Sequence, residues 1–325
     1  MAQSLWVLIA AAGKPDLLAR TLRSLARCHK PATYRGAFVV ENGPRCGVAA
    51  AVQAFPRGER LRHLYVPEAN KSHALNCGLV HLDDGLVVMT DDDVRLHSQW
   101  LIAYDEAARG VDQGEFYGGP VLIDAEHGLP PPWMRRFYPL TIAEPWGLPH
   151  TQRTAVNEQS FMGTNWAAFA GDLLAIGGFD TRLGPGATTG AAGQETEAQR
   201  RLVAHGGQAV YVPEAVGWHY LHREFLDPTW VRRRAFRHGL EWGIRRTRDG
   251  QPSTGPMLKA ALGWCNARLK SVLLRLAGGE ERRFAAAYHA DRWRGRWQGL
   301  WLGRSWDQLP QLVPSAPADL VRQAA

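Results

Sequence analysis

Gly85-Leu86-Val87-Val88-Met89-Thr90-Asp91-Asp92-Asp93 is the stretch on which the reading of this chain turns. Its apolar half has strand length and runs without a break into three adjacent carboxylates. Three like charges at a strand end repel one another. The cluster is costly unless a cation or a hydrogen-bond network offsets it. Hard oxygen ligands suit Mg²⁺ or Mn²⁺, and such an ion commonly bridges one or two carboxylates to substrate phosphates. The competing reading is a helix N-terminus, where aspartate is also favoured. The triplet alone does not choose between the two.

The sequence before it alternates short apolar runs with helical patterns. Leu5 to Ala10 reads as a buried strand, and Leu18, Leu22 and Leu25 set a helical spacing over 16–27. Ala37 to Val40 is a second apolar run, ending in the turn signal Glu41-Asn42-Gly43. Leu61 to Val66 predicts a third strand, and Ala74, Leu75, Leu79 and Leu82 a helix over 72–82. This alternation predicts an α/β fold with a mostly parallel sheet covered by helices. In such sheets ligands bind outside the carboxyl ends of the strands. The loop at Gly13, Glu41 and the acidic triplet all fall at that edge.

Past the triplet, residues 114–163 are rich in proline, glycine and aromatics. Pro130-Pro131-Pro132-Trp133 predicts a rigid turn or loop rather than a helix. Gly184, Gly186, Gly190 and Gly193, spaced by small residues and one proline, predict a mobile loop. A helix over 194–205 is stopped by Gly206-Gly207, and a strand-like run follows over 210–216. Beyond Leu221 no strand pattern is clear, and arginine, tryptophan and leucine dominate. The expected division is a catalytic α/β domain over 1–222 and a helical extension over 223–325.

With 325 residues and 45% hydrophobic content, the chain can bury a sizeable core. Its four cysteines have no metal-type spacing and read as reduced thiols. The formal charge of +7 is uneven: residues 222–304 hold 18 Arg or Lys against 7 Asp or Glu, so they carry +11. Such a third suits an anionic membrane surface, an anionic substrate or a plain solvated helical face. Trp293, Trp297 and Trp301 recur every four residues there. They suit packing onto the catalytic domain, or peripheral membrane contact. Gly295, Gly299 and Gly303 weaken the helical pattern. No basic leader and no apolar run of about 18 residues are visible. The expectation is a cytoplasmic protein, with peripheral contact at the inner face of the plasma membrane as an open option. No nucleic-acid motif accompanies the basic charge, so nucleic acid is not an expected partner.

Val88-Met89-Thr90-Asp91-Asp92-Asp93-Val94, with Trp100-Leu101 after it, resembles the Asp-x-Asp segment of family 2 glycosyltransferases with the GT-A fold. Further pieces are similar to that family, in its order. They are Val39-Val40-Glu41-Asn42-Gly43, Asn70-Lys71-Ser72 with Ala74, Asn76 and Gly78, Gly163-Thr164-Asn165-Trp166-Ala167, Gly177-Gly178-Phe179-Asp180, Gln194-Glu195-Thr196-Glu197, and the run from Val212 to His219. Each piece is weak, but their shared order over residues 5–240 is strong.

The resemblance implies a Rossmann-like GT-A sheet and a hexosyl-type transferase. It would take a UDP- or GDP-linked sugar donor, a glycan or lipid-linked acceptor, and Mn²⁺ or Mg²⁺. By the same resemblance, Glu41 contacts the donor's base and Lys71 neutralises its diphosphate. Asp91 meets the ribose or the metal shell. Asp93 is the first choice for direct metal ligand, Asp92 serves either role, and Asn165 contacts the donor sugar or the acceptor. His219 completes the metal site or contacts the diphosphate, with His222 as a weaker competitor. Glu195 matches the general base of an inverting displacement, worth about 10²–10⁴-fold in rate. Glu197 is its rival, although two residues along a helix it faces elsewhere. Trp166 and Trp218 are read as sugar-stacking or, more commonly, core tryptophans.

One part of the pattern is missing. Where the family carries Pro-Thr-Tyr-Asn-Arg-Pro, this chain has Ala10-Ala11-Ala12-Gly13-Lys14-Pro15. The side chains that usually touch the base are absent there, which leaves the nucleotide open. Two other classes compete: a sugar nucleotidyltransferase, and a non-catalytic sugar- or nucleotide-binding module.

Overall fold

Ser4–Ala11 (β1) is buried along its whole length. Val7 and Ile9 enter one core, while Trp6, Leu8 and Ala10 enter another on the opposite face. A strand buried on both faces has no polar side to alternate with, so its sequence is continuously apolar. The computed structural model describes residues 4–138, 146–147, 154–155, 161–251, 253–313 and 320–321. After β1 come α1 (Pro15–Ala26), β2 (Tyr34–Asn42), α2 (Val48–Gln53), β3 (Leu61–Val66), α3 (Lys71–Leu79) and β4 (Gly85–Asp91). Then follow β5 (Val94–Leu96), α4 (Trp100–Ala107), β6 (Glu115–Gly118), β7 (Val121–Asp124), α5 (Pro132–Arg135), β8 (Thr154–Ala155) and β9 (Asn165–Phe169). The chain continues through α6 (Ala170–Ala175), α7 (Gln194–Ala204), β10 (Gln208–Tyr211) and β11 (Gly217–Tyr220). It ends in α8 (Pro228–Arg248), α9 (Thr254–Ala277), α10 (Glu280–Leu302) and β12 (Leu320–Val321).

The main sheet has the order β12-β3-β2-β1-β4-β9-β6-β10-β8. The run β3-β2-β1-β4 is parallel, and β9 lies antiparallel between β4 and β6. Residues of α1, α2 and α4 pack on one face, and residues of α3, α6 and α7 on the other. Because β2 and β4 leave β1 on opposite sides, a crevice opens at the carboxyl ends of β1 and β4. A second sheet, β5-β11-β7, sits beside that crevice.

Three local expectations need correction. Pro132 starts a single helical turn, α5, since proline is tolerated in a first turn, whose N–H needs no intrahelical partner. The glycine-rich loop is packed rather than free-standing: Ala187, Ala191 and Ala192 are buried. The Lys71 N–H donates to the Pro185 carbonyl at 3.0 Å. At Gly186, φ is +80° and a Cβ would lie 1.8 Å from the Ala69 carbonyl oxygen, so a side chain is excluded there. Finally, the C-terminal region contributes a strand as well as helices, with β12 pairing antiparallel to β3.

α10 continues through Gly295 and Gly299 despite their low helix propensity. Tertiary packing decides this. Gly239 and Gly243 of α8 face Gly295 and Gly299 of α10, and a Cβ at any of the four would lie 2.2–2.5 Å from backbone of the other helix. The two helices therefore cross at very close range. Arg182 ties this extension back to the α/β unit. Its guanidinium forms a buried pair with Asp180 at 2.8 Å and donates to the Trp306 carbonyl at 2.8 Å.

Candidate active site

The acidic triplet leaves β4 beside the end of β1, with Asp91 paired to Ala10. Its three carboxylates are held by different partners. Asp91 Oδ1 accepts from Lys71 Nζ at 2.6 Å. Asp92 Oδ2 accepts from the Ala12 N–H at 3.1 Å. Asp93 Oδ2 lies 2.9 Å from His222 Nε2, and its Oδ1 3.5 Å from His219 Nε2. The predicted repulsion is thus divided among a lysine, a backbone amide and two imidazoles. It is not abolished. Burial and the neighbouring Asp93 push Asp92 up to about 7. Burial also opposes the charge on Asp93, but His219, His222 and Lys14 outweigh it and hold that carboxyl down at about 2.

The small sheet places the histidines. β11 runs antiparallel to β5, with His219 opposite Val94. His219 therefore lands next to Asp93 although 126 positions separate them in the chain. His222 follows just past the strand end, and Lys14 Nζ lies 3.3 Å from its Nε2. Of the two histidines, the one expected to be the weaker candidate makes the shorter contact.

Lys71 opens α3. Asn70 caps that helix by accepting from the His73 N–H at 2.9 Å, and its Nδ2 donates to the Thr181 carbonyl at 2.7 Å. So anchored, Lys71 bridges Asp91 and Glu195, the latter at 3.2 Å. Burial works against the lysine's charge, but Asp91 and Glu195 outweigh it and raise its pKa. Glu195 lies in the first turn of α7, and its Oε1 also accepts from Gln194 Nε2 at 2.5 Å. Its carboxylate rests on Gly163, where a Cβ would sit 2.1 Å from Oε1. Glu197 turns elsewhere: it pairs with Arg201 at 2.7 Å and with Arg248 at 3.2 Å.

Two expected contacts are not presented to the crevice. Asn165 is fully buried and spent on the core. Its Oδ1 accepts from Trp100 Nε1 and Tyr104 Oη, both at 2.8 Å, and its Nδ2 donates to the Pro120 and Ala215 carbonyls. A side chain with all its hydrogen bonds made inside the protein holds the sheets together rather than a sugar. Glu41 is 1% exposed. Its Oε2 lies 2.9 Å from His63 Nε2, and its Oε1 accepts from the Cys46 N–H at 3.0 Å. Trp166 is a core residue, and the partly buried Trp218 lies under the Arg95 guanidinium, 4.0 Å from its ring centre.

Two groups escaped the sequence reading. Arg234 and Arg237 of α8 lie close enough to Glu195 to feel its charge, and the Arg234 Nε is buried with no hydrogen-bond partner among the described residues. Burial and the adjacent Arg237 lower Arg234 to about 10, against the pull of Glu195 and Asp91. Nothing local singles out Arg234 within Arg232-Arg233-Arg234. Only the helix's docking angle selects it.

Whether a divalent cation fits can be judged at Asp93. Among the described residues, no three Asp, Glu, His or Cys side chains already surround one point closely enough to hold a metal. The donor chemistry fits nonetheless. Asp93 Oδ1 is a buried atom without a hydrogen-bond partner, and His219 Nε2 faces it at 3.5 Å. A carboxylate oxygen with imidazole nitrogens suits Mn²⁺ better than Mg²⁺. Lys14 already supplies positive charge at the same place, 3.3 Å from His222 Nε2, and must turn aside for a cation to enter. A cavity of about 1050 Å³ lies at the opposite edge of the sheet, by Ser4 and Gly85. Three of its five aspartates are engaged internally, Asp83 by Ser4, Asp105 by Thr33 and Asp172 by the Gly114 N–H. It holds no histidine among the described residues, and it lies away from the carboxyl ends of β1 and β4.

Comparison with known proteins agrees with this architecture. No curated protein matches. Among solved structures, the mannosyltransferase PcManGT from Pyrobaculum calidifontis, in complex with GDP-Man and Mn²⁺, aligns with a TM-score of 0.57. It is 18% identical, with 93% of this chain and 88% of that chain covered. GalNAc-T7 with UDP, GalNAc and Mn²⁺ aligns with a TM-score of 0.51 at 12% identity, covering 74% of this chain and 50% of that one. These likenesses establish the GT-A fold. The profile described as "Glycosyltransferase like family 2" matches residues 2–239. With more than half of its length so matched, the chain belongs to the family 2-like glycosyltransferases.

Proposed function

We propose that the protein transfers a sugar, with inversion, from a nucleotide-sugar donor to a hydroxyl of a glycan or lipid-linked acceptor. The observation that carries this is Lys71, which bridges Asp91 and Glu195 in the crevice between β1 and β4. It sets a cation for a diphosphate next to a carboxylate for a hydroxyl. Glu195 is the general base. Its Oε1 is fixed by Lys71 and Gln194, while Oε2 accepts no hydrogen bond from a described residue. That free oxygen takes the acceptor's proton as the hydroxyl attacks the anomeric carbon and the diphosphate leaves.

Lys71 offers the diphosphate a compact positive charge. Arg234 and Arg237, on the helix that closes this side of the crevice, add two more. Arg234 thereby gains the partner that its buried Nε lacks. Asp93, His219 and His222 would hold Mn²⁺ or Mg²⁺, which when bound stabilises charge on the leaving diphosphate. PcManGT and GalNAc-T7 were both captured with Mn²⁺, which favours that ion here. Residues 1–222 carry the donor site, and the extension from 223 completes it through α8.

The test is a panel of nucleotide sugars offered to the purified protein with Mn²⁺, Mg²⁺ or chelator. Thermal shift and donor hydrolysis are the readouts. At least one donor should stabilise the protein only when metal is present. No metal-dependent stabilisation by any donor would overturn the reading.

A further inference from the structure

The tryptophans of α10 face inward. Trp293 packs against Gly263 of α9, and Trp297 stacks on Trp264 of α9 with ring centres 5.8 Å apart. Only Trp301 remains half exposed. The unpartnered apolar surface of the extension lies instead on the outer face of α9. Leu258, Leu262, Leu269 and Leu273 are 63%, 62%, 59% and 56% exposed. At about 100° per residue, these four with Cys265 and Val272 fall within an arc of about 100°. The opposite side carries Ala260, Gly263, Trp264, Ala267 and Ser271, and packs on α10.

The charges of α9 are ordered about that arc. Lys259 and Lys270 border it on one side, and Arg268 and Arg275 on the other. No acidic residue occurs in the helix's 24 residues. None of the four cations forms an ion pair with a described residue. An apolar stripe with a basic border on each side is the pattern of a helix lying in a lipid headgroup layer. A second copy of the same helix is a poor partner, because its basic borders would repel in any face-to-face pairing.

We infer that α9 is an interfacial anchor that docks the enzyme on an anionic bilayer, its leucines in the acyl boundary and its lysines and arginines among anionic headgroups. No described helix is long and apolar enough to cross a membrane, so the contact is peripheral. This goes beyond the proposed reaction and does not depend on it. It would bring the crevice to acceptors presented on a lipid surface.

Flotation of the full chain with vesicles tests the inference. One set contains phosphatidylglycerol and phosphatidylcholine in equal parts, and the other phosphatidylcholine alone. The protein should float with the anionic set, and less so in high salt. Leu262→Asp and Leu269→Asp should each lower partitioning about 10-fold. Lys259→Glu and Lys270→Glu should each lower it about 5-fold or more. Circular dichroism establishes that each variant is folded, and the solvent-facing lysine variants keep the test valid where an aspartate variant is not. Failure of the wild-type chain to float with anionic vesicles in low salt overturns the inference. So does equal flotation of all four variants. A dimer in buffer that Leu262→Asp dissolves, with no flotation, would instead assign the face to a second copy.

Discussion

The two ends of the crevice treat their carboxylates in opposite ways. At the end of β2, Glu41 is sealed in, with one oxygen on His63 and the other on the Cys46 amide. At the end of β4, Asp93 keeps one oxygen without a hydrogen bond, and Lys71 is shared between Asp91 and Glu195. The first arrangement is complete and resembles a structural brace. The second is crowded with charge and incompletely satisfied, as a site that awaits a charged ligand is. Two acidic stretches that look equally functional in sequence are thereby separated by how fully the fold satisfies them.

The sharpest way to break this comparison is at Glu195. Glu195→Gln should cut transfer by about 10²–10⁴-fold. Donor binding by thermal shift should stay near the wild-type value. Near-normal transfer would move the base elsewhere. Gly163→Ala is expected next in size. Its methyl would meet the Glu195 carboxylate at 2.1 Å and displace it. A displaced base should cost about 10²-fold in kcat, with KM for the donor little changed.

At the metal end, His222→Ala should raise the Mn²⁺ concentration needed for half-maximal donor stabilisation by about 10–100-fold. An unchanged midpoint would reduce His222 to a structural partner of Asp93 and Lys14. At the sealed end, Glu41→Gln should act on stability rather than on chemistry. The loss should be about 1–3 kcal/mol by thermal or denaturant unfolding, with donor affinity unchanged. A large loss of donor affinity would show that this end does read the nucleotide.

The smallest effect is one of pH. Burial lowers the His63 pKa despite the Glu41 contact. A histidine depressed in the folded state binds its proton more readily when unfolded. It therefore contributes stability above its unfolded pKa of about 6.5, and that contribution fades as pH falls through the folded value. Replacing His63 with Gln should flatten the acid limb of the stability profile below about pH 6.5. A limb of unchanged slope would exclude His63 as its source.

Much of the fold is legible in local pattern. The run in β1 is apolar because both faces are buried, and the spacing of Leu18, Leu22 and Leu25 follows from one helix face meeting the sheet. Asp91 to Asp93, Lys71 and Glu195 stand out because costly charges at element ends call for an explanation. The pattern failed where packing outweighs propensity. Gly295 and Gly299 discourage a helix in isolation, yet α10 needs them so that α8 can approach. Asn165 sits in a convincing motif, yet four internal hydrogen bonds hold it in the core.

What the sequence by itself determined is the alternation of strand and helix, the sheet edge on which the acidic triplet lies, and the family order of its motifs. These follow from periodicity and charge, which act over a few residues. What only the tertiary structure decided is which charges meet. His222 rather than His219 lies closer to Asp93, Arg234 rather than Arg233 is buried within reach of the charge on Glu195, and α9 rather than the tryptophan helix presents the apolar face. Each of these choices is set by the register of β11 on β5 or by the angle at which a helix docks. Those are contacts between segments distant in the chain, and local pattern does not encode them.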